Sequence, residues 1–419
     1  MRLVGVLLSY LLFWLLLPAL LLHPKLRDGI KARLGFYPRD WPNLNGKGPR
    51  IWLHGASAGD ILALLPLARE LRAKRPDVQI IVSTITNSGR AIAERERDAF
   101  SAITYMPYDL PGVVRRALKR IAPDVLVLEY TELWPHLIRA TSKRHIPVVM
   151  HNGRFSPARL SRYRWLFAIM GNLLRRYTLL LMRSETEADS ARLLGAPEDR
   201  LRVTGNTKFD NLTTDPPADV VDSLRRAAGF TDEHTVWVAG STHDGEEGLL
   251  LDILVALRET HPSLRMIVAP RYAERADKIK SMAEKRGLST RLRSKPGEPP
   301  DVFILDTIGE LAAIYMLGDL VFVGGSFVER GGQNILEPAV CGKPVLFGPH
   351  MENFADSVQV LLGRGGVQVA SPEQLQRVMA DLLVDADHRR ELGEMAVAQV
   401  TRVRGAAARN AEAIVGLLR

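Results

Sequence analysis

From residue 50 onward, short apolar runs alternate with stretches whose apolar positions recur every three or four residues. The runs Arg50–His54, Val78–Thr84, Ala102–Met106, Asp124–Leu128, Pro147–His151, Thr178–Arg183 and Leu201–Thr204 read as strands. Ile61–Ala73 and Val113–Ile121, which lie between them, have helical periodicity. Such alternation predicts βαβ units and a parallel sheet covered on both faces. A polar break follows at Asp210–Pro217. The pattern then restarts with Thr235–Gly240, Leu264–Ala269, Val302–Leu305, Leu320–Gly324 and Pro344–Phe347, ending in helices from about Pro372. The expected fold is α/β: two doubly wound, Rossmann-like halves, 25–210 and 211–419, facing a cleft. Ligands are expected beyond the carboxyl ends of the strands.

The N-terminus breaks this pattern. Leu3 to Leu22 is twenty residues without a charge, about the hydrocarbon thickness of a bilayer at 1.5 Å per residue. A cleaved signal peptide has a shorter apolar run and a small-residue cleavage site, so residues 1–24 are expected to form a retained membrane-anchor helix; the plainer alternative is a buried hydrophobic helix. Arg2 precedes the run and Lys25, Arg27, Lys31 and Arg33 follow it, which puts the body on the cytoplasmic side of an inner membrane. The net charge of +9 favours anionic partners. The single cysteine, Cys341, rules out an intrachain disulfide or a cysteine-rich metal site.

Candidate chemistry clusters at predicted strand ends. The first strand runs into His54-Gly55-Ala56-Ser57-Ala58-Gly59-Asp60. Its G-x-S-x-G match reads as a hydrolase nucleophile elbow at Ser57, as a glycine turn before a helix, or as a loop presenting Asp60 as a carboxylate base. Glu129 and Glu132 follow the fourth strand beside Trp134, and Glu132 also reads as a helix cap. In the second half, Ser241 and His243 follow one strand and Arg271 another. Gly324-Gly325-Ser326 and Gly331-Gly332-Gln333-Asn334, with Glu337 after them, have the paired glycines that expose backbone N–H groups to phosphate. Glu337 is placed to accept from a ribose.

Between His151 and Arg183 stand seven arginines, no acid and several aromatics. This mixture suits anionic lipid or a phosphorylated lipid better than nucleic acid. There is no P-loop and no H-E-x-x-H, so metal-independent chemistry without a cofactor is expected.

Taken together, Ala32–Pro38, Trp52–Asp60, Thr84–Gly89, Glu129–Pro135, Asn152–Ser156, Gly205–Asp210, Gly240–Glu246, Pro270–Arg275, Gly331–Pro338 and Gly348–Phe354 resemble, in order, the 3-deoxy-D-manno-octulosonic acid (Kdo) transferases of lipopolysaccharide biosynthesis. The resemblance implies a GT-B fold and inverting transfer of Kdo from CMP-Kdo to a hydroxyl of a lipid A precursor. It implies catalytic roles for Asp60, Glu129 and Glu132. Ser241, His243, Arg271, Gly324, Gly325, Ser326, Gly332, Gln333, Asn334 and Glu337 would bind the donor, and Ser57, Gly59, Arg154 and Ser156 the acceptor. Four positions depart from the family pattern. Asp60 stands where glutamate is usual and looks like the base, Tyr272 replaces a histidine, and Gln333 and Ile335 replace histidine and proline. A relative of altered specificity, or a non-catalytic one binding lipid or nucleotide, is therefore the alternative.

Overall fold

A computed structural model of the 419-residue chain describes residues 28–38, 48–212 and 216–418, with isolated positions between 10 and 22. The expected span Leu3–Leu22 falls largely outside these. Among the described residues no helix is long and apolar enough to cross a membrane.

The chain forms two compact units, Met1–Asn211 with Arg404–Arg419, and Leu212–Val403. In the first, β1 (Arg50–His54), β2 (Gln79–Thr84), β3 (Ala102–Tyr105), β4 (Val125–Glu129), β5 (Val148–Gly153), β6 (Leu179–Met182) and β7 (Leu201–Val203) form one parallel sheet in the order β3-β2-β1-β4-β5-β6-β7. The inner strands are buried almost throughout because helices cover both faces. Alternate residues of β1 divide between the two layers. Ile51 and Leu53 pack with Leu64 and Leu67 of helix Ala58–Lys74, and Trp52 packs in the other layer with Val114 and Leu118 of helix Pro111–Ile121.

The second unit repeats the plan. Its strands β8 (Thr235–Thr242), β9 (Leu264–Pro270), β10 (Thr290–Leu292), β11 (Val302–Ile304), β12 (Leu320–Val323), β13 (Val345–Phe347) and β14 (Gly366–Gln368) run parallel in the order β10-β11-β9-β8-β12-β13-β14. The edge strands β10 and β14 are three residues each and lack an apolar run, so periodicity does not reveal them.

The last helix, Ala406–Val415, differs from expectation. It belongs to the first unit, where Ala411 and Ile414 join the layer containing Leu64. Asp210 fixes its start by accepting from the Gly405 and Ala407 amides at 2.6 Å each, and Arg409 donates to the Thr204 carbonyl at 2.8 Å. The chain thus passes between the units twice, at Asn211–Leu212 and Val403–Arg404.

Candidate functional site

In the first unit the loops after β1 and β4 emerge side by side, because the strand order reverses between these neighbours. This is where doubly wound sheets bind ligands. Asp60 lies in the first turn of helix Ala58–Lys74, half-buried. Its Oδ2 accepts from the Ser57 amide at 2.8 Å and from the Ser57 hydroxyl at 2.9 Å. The G-x-S-x-G turn therefore caps a helix, with Gly59 exposed in its first turn. Among the described residues no histidine hydrogen-bonds the Ser57 hydroxyl, so the hydrolase reading loses its base.

Glu129 and Glu132, three residues apart, end in different environments. Glu129 is wholly buried at the end of β4. One of its oxygens lies 2.5 Å from His151 Nδ1, and the other accepts from Asn152 Nδ2 at 2.8 Å. Asn152, in the left-handed region at φ 51°, also donates to the Thr207 hydroxyl at 2.6 Å, which in turn donates to the Ala63 carbonyl at 2.8 Å. This chain ties β4 and β5 to the helix that carries Asp60. Glu129 is therefore placed as a support for the site, with both oxygens engaged inside the protein.

Glu132 keeps 23% of its side-chain surface. Burial pushes its carboxyl up to about 7 against the pull of a hydrogen bond from the Trp134 side chain, and the negative charges of Asp60 and Glu129 add to the rise. The nearest basic group, His54 Nε2, is 3.9 Å away, but burial holds that imidazole down near 4. Its Nδ1 is 3.0 Å from the Ser83 carbonyl, and its buried Nε2 has no hydrogen-bond partner. His54 is thus neutral at pH 7 and does not offset the charge of Glu132. Nor does Glu132 cap the next helix. Asp109 does so, accepting from the His136 and Leu137 amides at 2.9 and 2.7 Å.

Beside Glu132 opens a cavity of about 380 Å³, lined by Leu133, Trp134, Arg159, Arg162 and Tyr163 among others. Neither arginine forms an ion pair with a carboxylate among the described residues, and the Trp134 side chain acts on the Glu132 carboxyl. Arg154 and Ser156 do not line this space. Arg154 is exposed, its carbonyl accepting from the Thr131 hydroxyl, and the Ser156 carbonyl closes the turn before helix Leu160–Met170.

In the second unit the analogous reversal lies between β8 and β12. A bulge between Gly240 and Thr242 puts Ser241 at φ 56° and hydrogen-bonds its side chain to the buried Tyr315. The turn after β12 differs from expectation. Glu246, fully buried, accepts from four backbone amides: His243 at 2.9 Å, Gly325 at 2.7 Å, Ser326 at 3.0 Å and Phe327 at 2.9 Å. The Gly324 amide donates to the Gly240 carbonyl at 2.8 Å, so both amides of this first glycine pair are occupied within the protein, Gly325 by the Glu246 carboxylate, which corrects their assignment to phosphate. Glycine is required at 324 because a Cβ there would sit 2.6 Å from Thr242 Cα and 2.9 Å from a Glu246 oxygen. The Ser326 hydroxyl bridges the Val323 carbonyl and the Gly348 amide, so it too serves the turn.

The second glycine pair joins the first, with the Gly332 amide donating to the Gly325 carbonyl at 2.8 Å. Gln333 Nε2 comes 3.5 Å from His243 Nε2, whose basicity burial lowers. Asn334 donates to Glu337 at 3.0 Å. Burial pushes the Glu337 carboxyl up, against the pull of that hydrogen bond and of the Arg271 charge. Arg271 itself is exposed. His243, Arg271, Gln333, Asn334 and Glu337 thus gather at the carboxyl end of the second sheet. The signal for Glu246 was present in the sequence as an acid three residues beyond His243, but spacing gave no hint that its partners lie some eighty residues on.

Comparison with known proteins agrees with this architecture. The family model of 3-deoxy-D-manno-octulosonic-acid transferase (kdotransferase) matches residues 28–211. The 3-deoxy-D-manno-octulosonic acid transferase of Haemophilus influenzae is 32% identical over 392 residues, covering 91% of this chain and 90% of that protein. The enzyme of the same name from Bordetella pertussis is 32% identical over 381 residues, covering 87% and 86%. Among solved structures, Anabaena Alr3699/HepE in complex with UDP aligns with a TM-score of 0.57 at 16% identity, covering 88% of this chain and all of that one. A glycosyltransferase from Rickettsia africae aligns at 0.54 and 14%, covering 89% and 99%. These likenesses, with two parallel seven-stranded sheets, show an α/β fold of the GT-B type. The sequence identity sustained along almost the full length of two such enzymes shows that the chain is a glycosyltransferase belonging to the Kdo transferase family.

Proposed function

We propose that the protein transfers Kdo from CMP-Kdo to a hydroxyl of a lipid A precursor, inverting the anomeric centre, as a step of lipopolysaccharide synthesis. The observation that carries this reading is Glu132, a carboxyl held near neutrality beside Asp60, at the mouth of a cavity with two arginines that lack carboxylate partners among the described residues. In the proposed step the acceptor hydroxyl attacks the anomeric carbon, its proton passes to Asp60, and the bond to the CMP phosphate oxygen breaks as CMP leaves. Asp60 suits a base because its Oδ2 is held by Ser57 while Oδ1 is left for the acceptor. Glu132, partly protonated at neutral pH, supplies a second site for the proton. Arg159 and Arg162 suit a phosphate of the acceptor, and Tyr163 and Leu133 its apolar part. On the donor side, Arg271 faces the phosphate and Glu337 the ribose. The uncharged run Leu3–Leu22 supports a single-pass anchor in the inner membrane with the body in the cytoplasm.

The test is incubation with CMP-Kdo and a lipid A precursor, reading the product by mass. Asp60→Asn is expected to abolish transfer while leaving CMP affinity within about twofold, since the substitution keeps the side-chain shape. Equal loss of both would remove the base assignment. A wild-type protein that binds CMP yet is inert with CMP-Kdo would mark a relative of altered specificity.

A further inference from the structure

His54 ends β1 wholly buried, with one ring nitrogen committed and the other without a hydrogen-bond partner among the described residues. Nδ1 lies 3.0 Å from the Ser83 carbonyl oxygen and 3.0 Å from the Ser83 hydroxyl. A carbonyl oxygen only accepts, so the proton of the neutral ring sits on Nδ1. The hydroxyl agrees with this tautomer. It accepts from the Trp52 indole at 2.8 Å and gives its own proton to the Leu53 carbonyl at 3.4 Å. Nε2 is therefore an acceptor with no donor. Glu132 Oε2 lies 3.9 Å from it, and the Trp134 ring stands edge-on to the imidazole, with centroids 5.9 Å apart. An ionised carboxylate offers such a nitrogen only further lone pairs. A protonated carboxyl offers an O–H, and the separation exceeds hydrogen-bond reach by only about 1 Å, which rotation of the glutamate side chain closes.

We propose that His54 is a positioning residue for Glu132: its bare Nε2 accepts the O–H of the protonated carboxyl and so holds in place the proton that transfer releases. The fit is to the acid form alone. A carboxylic acid has one donor and an acceptor oxygen; His54 takes the first, and the Trp134 indole, which donates to this carboxyl, fills the second. The proton stays on oxygen, because burial leaves the imidazole the weaker base of the two. The other groups that bear on Glu132 do not provide this contact. Asp60 and Glu129 act on it through their negative charge, Arg159 and Arg162 line the adjoining cavity with the opposite sign, and the Tyr177 hydroxyl donates to the Glu132 backbone carbonyl at 2.9 Å. The role rests on the transfer chemistry proposed above. There the acceptor O–H breaks and its oxygen forms the bond to the anomeric carbon. The departing phosphate oxygen keeps the electron pair of the bond to CMP, and the proton passes by way of Asp60 to Glu132. His54 is neutral before and after the step.

The test uses the full chain in detergent micelles, isotopically labelled at its histidine ring nitrogens. NMR should show one ring that keeps its proton on Nδ1 from mildly acidic to mildly alkaline pH, while its Nε2 resonance moves toward the unbonded position as Glu132 ionises. In Glu132→Gln, whose amide donates to Nε2 at every pH, that resonance should stay at the bonded position throughout. His54→Phe keeps a ring and removes the nitrogen. Without the acceptor the acid form of Glu132 is less favoured, so the acidic limb of the kcat profile should move down by about 0.7 in pH, and the plateau kcat should fall by up to about fivefold, the contribution of one hydrogen bond, with KM unchanged. Lost packing alone would lower stability and leave the limb where it was. A proton found on Nε2, a wild-type Nε2 resonance indifferent to pH, the same pH response in Glu132→Gln, or an unmoved limb in His54→Phe would each overturn the proposal. Should His54→Phe fail to fold, wild type against Glu132→Gln decides alone, through the ring signal that follows pH in the first and not in the second. An enzyme inert with CMP-Kdo would refute the transfer chemistry, and the resonance would still show whether Nε2 receives the Glu132 proton.

Discussion

Replacing Glu132 with glutamine should make the protein more stable while impairing it. The carboxyl rises from its ordinary 4.5 to about 7, chiefly through burial, a shift corresponding to about 3 kcal/mol between its two protonation states. Because the folded state holds this proton more tightly than the unfolded chain, the sign runs opposite to that of a salt-bridged carboxylate. The penalty is absent below about 4.5, grows as pH rises through the interval, and is complete above about 7. Glutamine keeps the shape and cannot ionise. At pH 8, Glu132→Gln should therefore raise the melting temperature of the first unit by up to about 10 °C, at roughly 2–4 °C per kcal/mol for a unit of this size, and the gain should fade to nothing near pH 4.5. Differential scanning calorimetry of wild type and variant at several pH values reads this directly, with transfer assayed on the same preparations. The expected signature is stabilisation that grows with pH, together with a lowered kcat. A variant destabilised at pH 8, or stabilised equally at pH 5 and pH 8, would show that the Glu132 carboxyl is not held up by its surroundings, and the proton-accepting role would fall with it.

Two further outcomes follow from the network around the site. Glu246→Ala removes the shared acceptor of four buried amides, each costing about 1–3 kcal/mol if left unpaired; CMP affinity should fall at least tenfold by calorimetry, and unchanged affinity would separate this turn from the nucleotide site. Asp109→Ala uncaps helix Pro135–Ser142 and should cost about 2 kcal/mol in denaturant unfolding, with no loss expected if water replaces the carboxylate fully.

The fold was legible in the sequence because its information is local. Every buried strand with an apolar run could be read from periodicity, and those lost, Thr290–Leu292 and Gly366–Gln368, have none. The site was legible only as a set of positions. Spacing placed Glu129 and Glu132 at one strand end, yet it does not distinguish a carboxylate whose two oxygens are engaged by His151 and Asn152 from one left beside a neutral imidazole. That difference comes from residues 20 and more positions away, brought together only by the strand order. The glycine turns show the same limit. Paired glycines signal that backbone approaches something closely, and an approaching phosphate and an approaching buried carboxylate demand the same glycines. Gly324 and Gly325 met Glu246, which satisfies their turn from within the protein. On the proposed function, a rigid, internally satisfied turn would still serve a nucleotide site by holding His243 and Gln333 in place, since a carboxylate shared by four amides fixes the loop more firmly than water would. On that same function, the charge recognising the donor comes from side chains at the end of the sheet, where Arg271, exposed and close enough to influence Glu337, and Arg330, close enough to influence His243, have the sign to supply it.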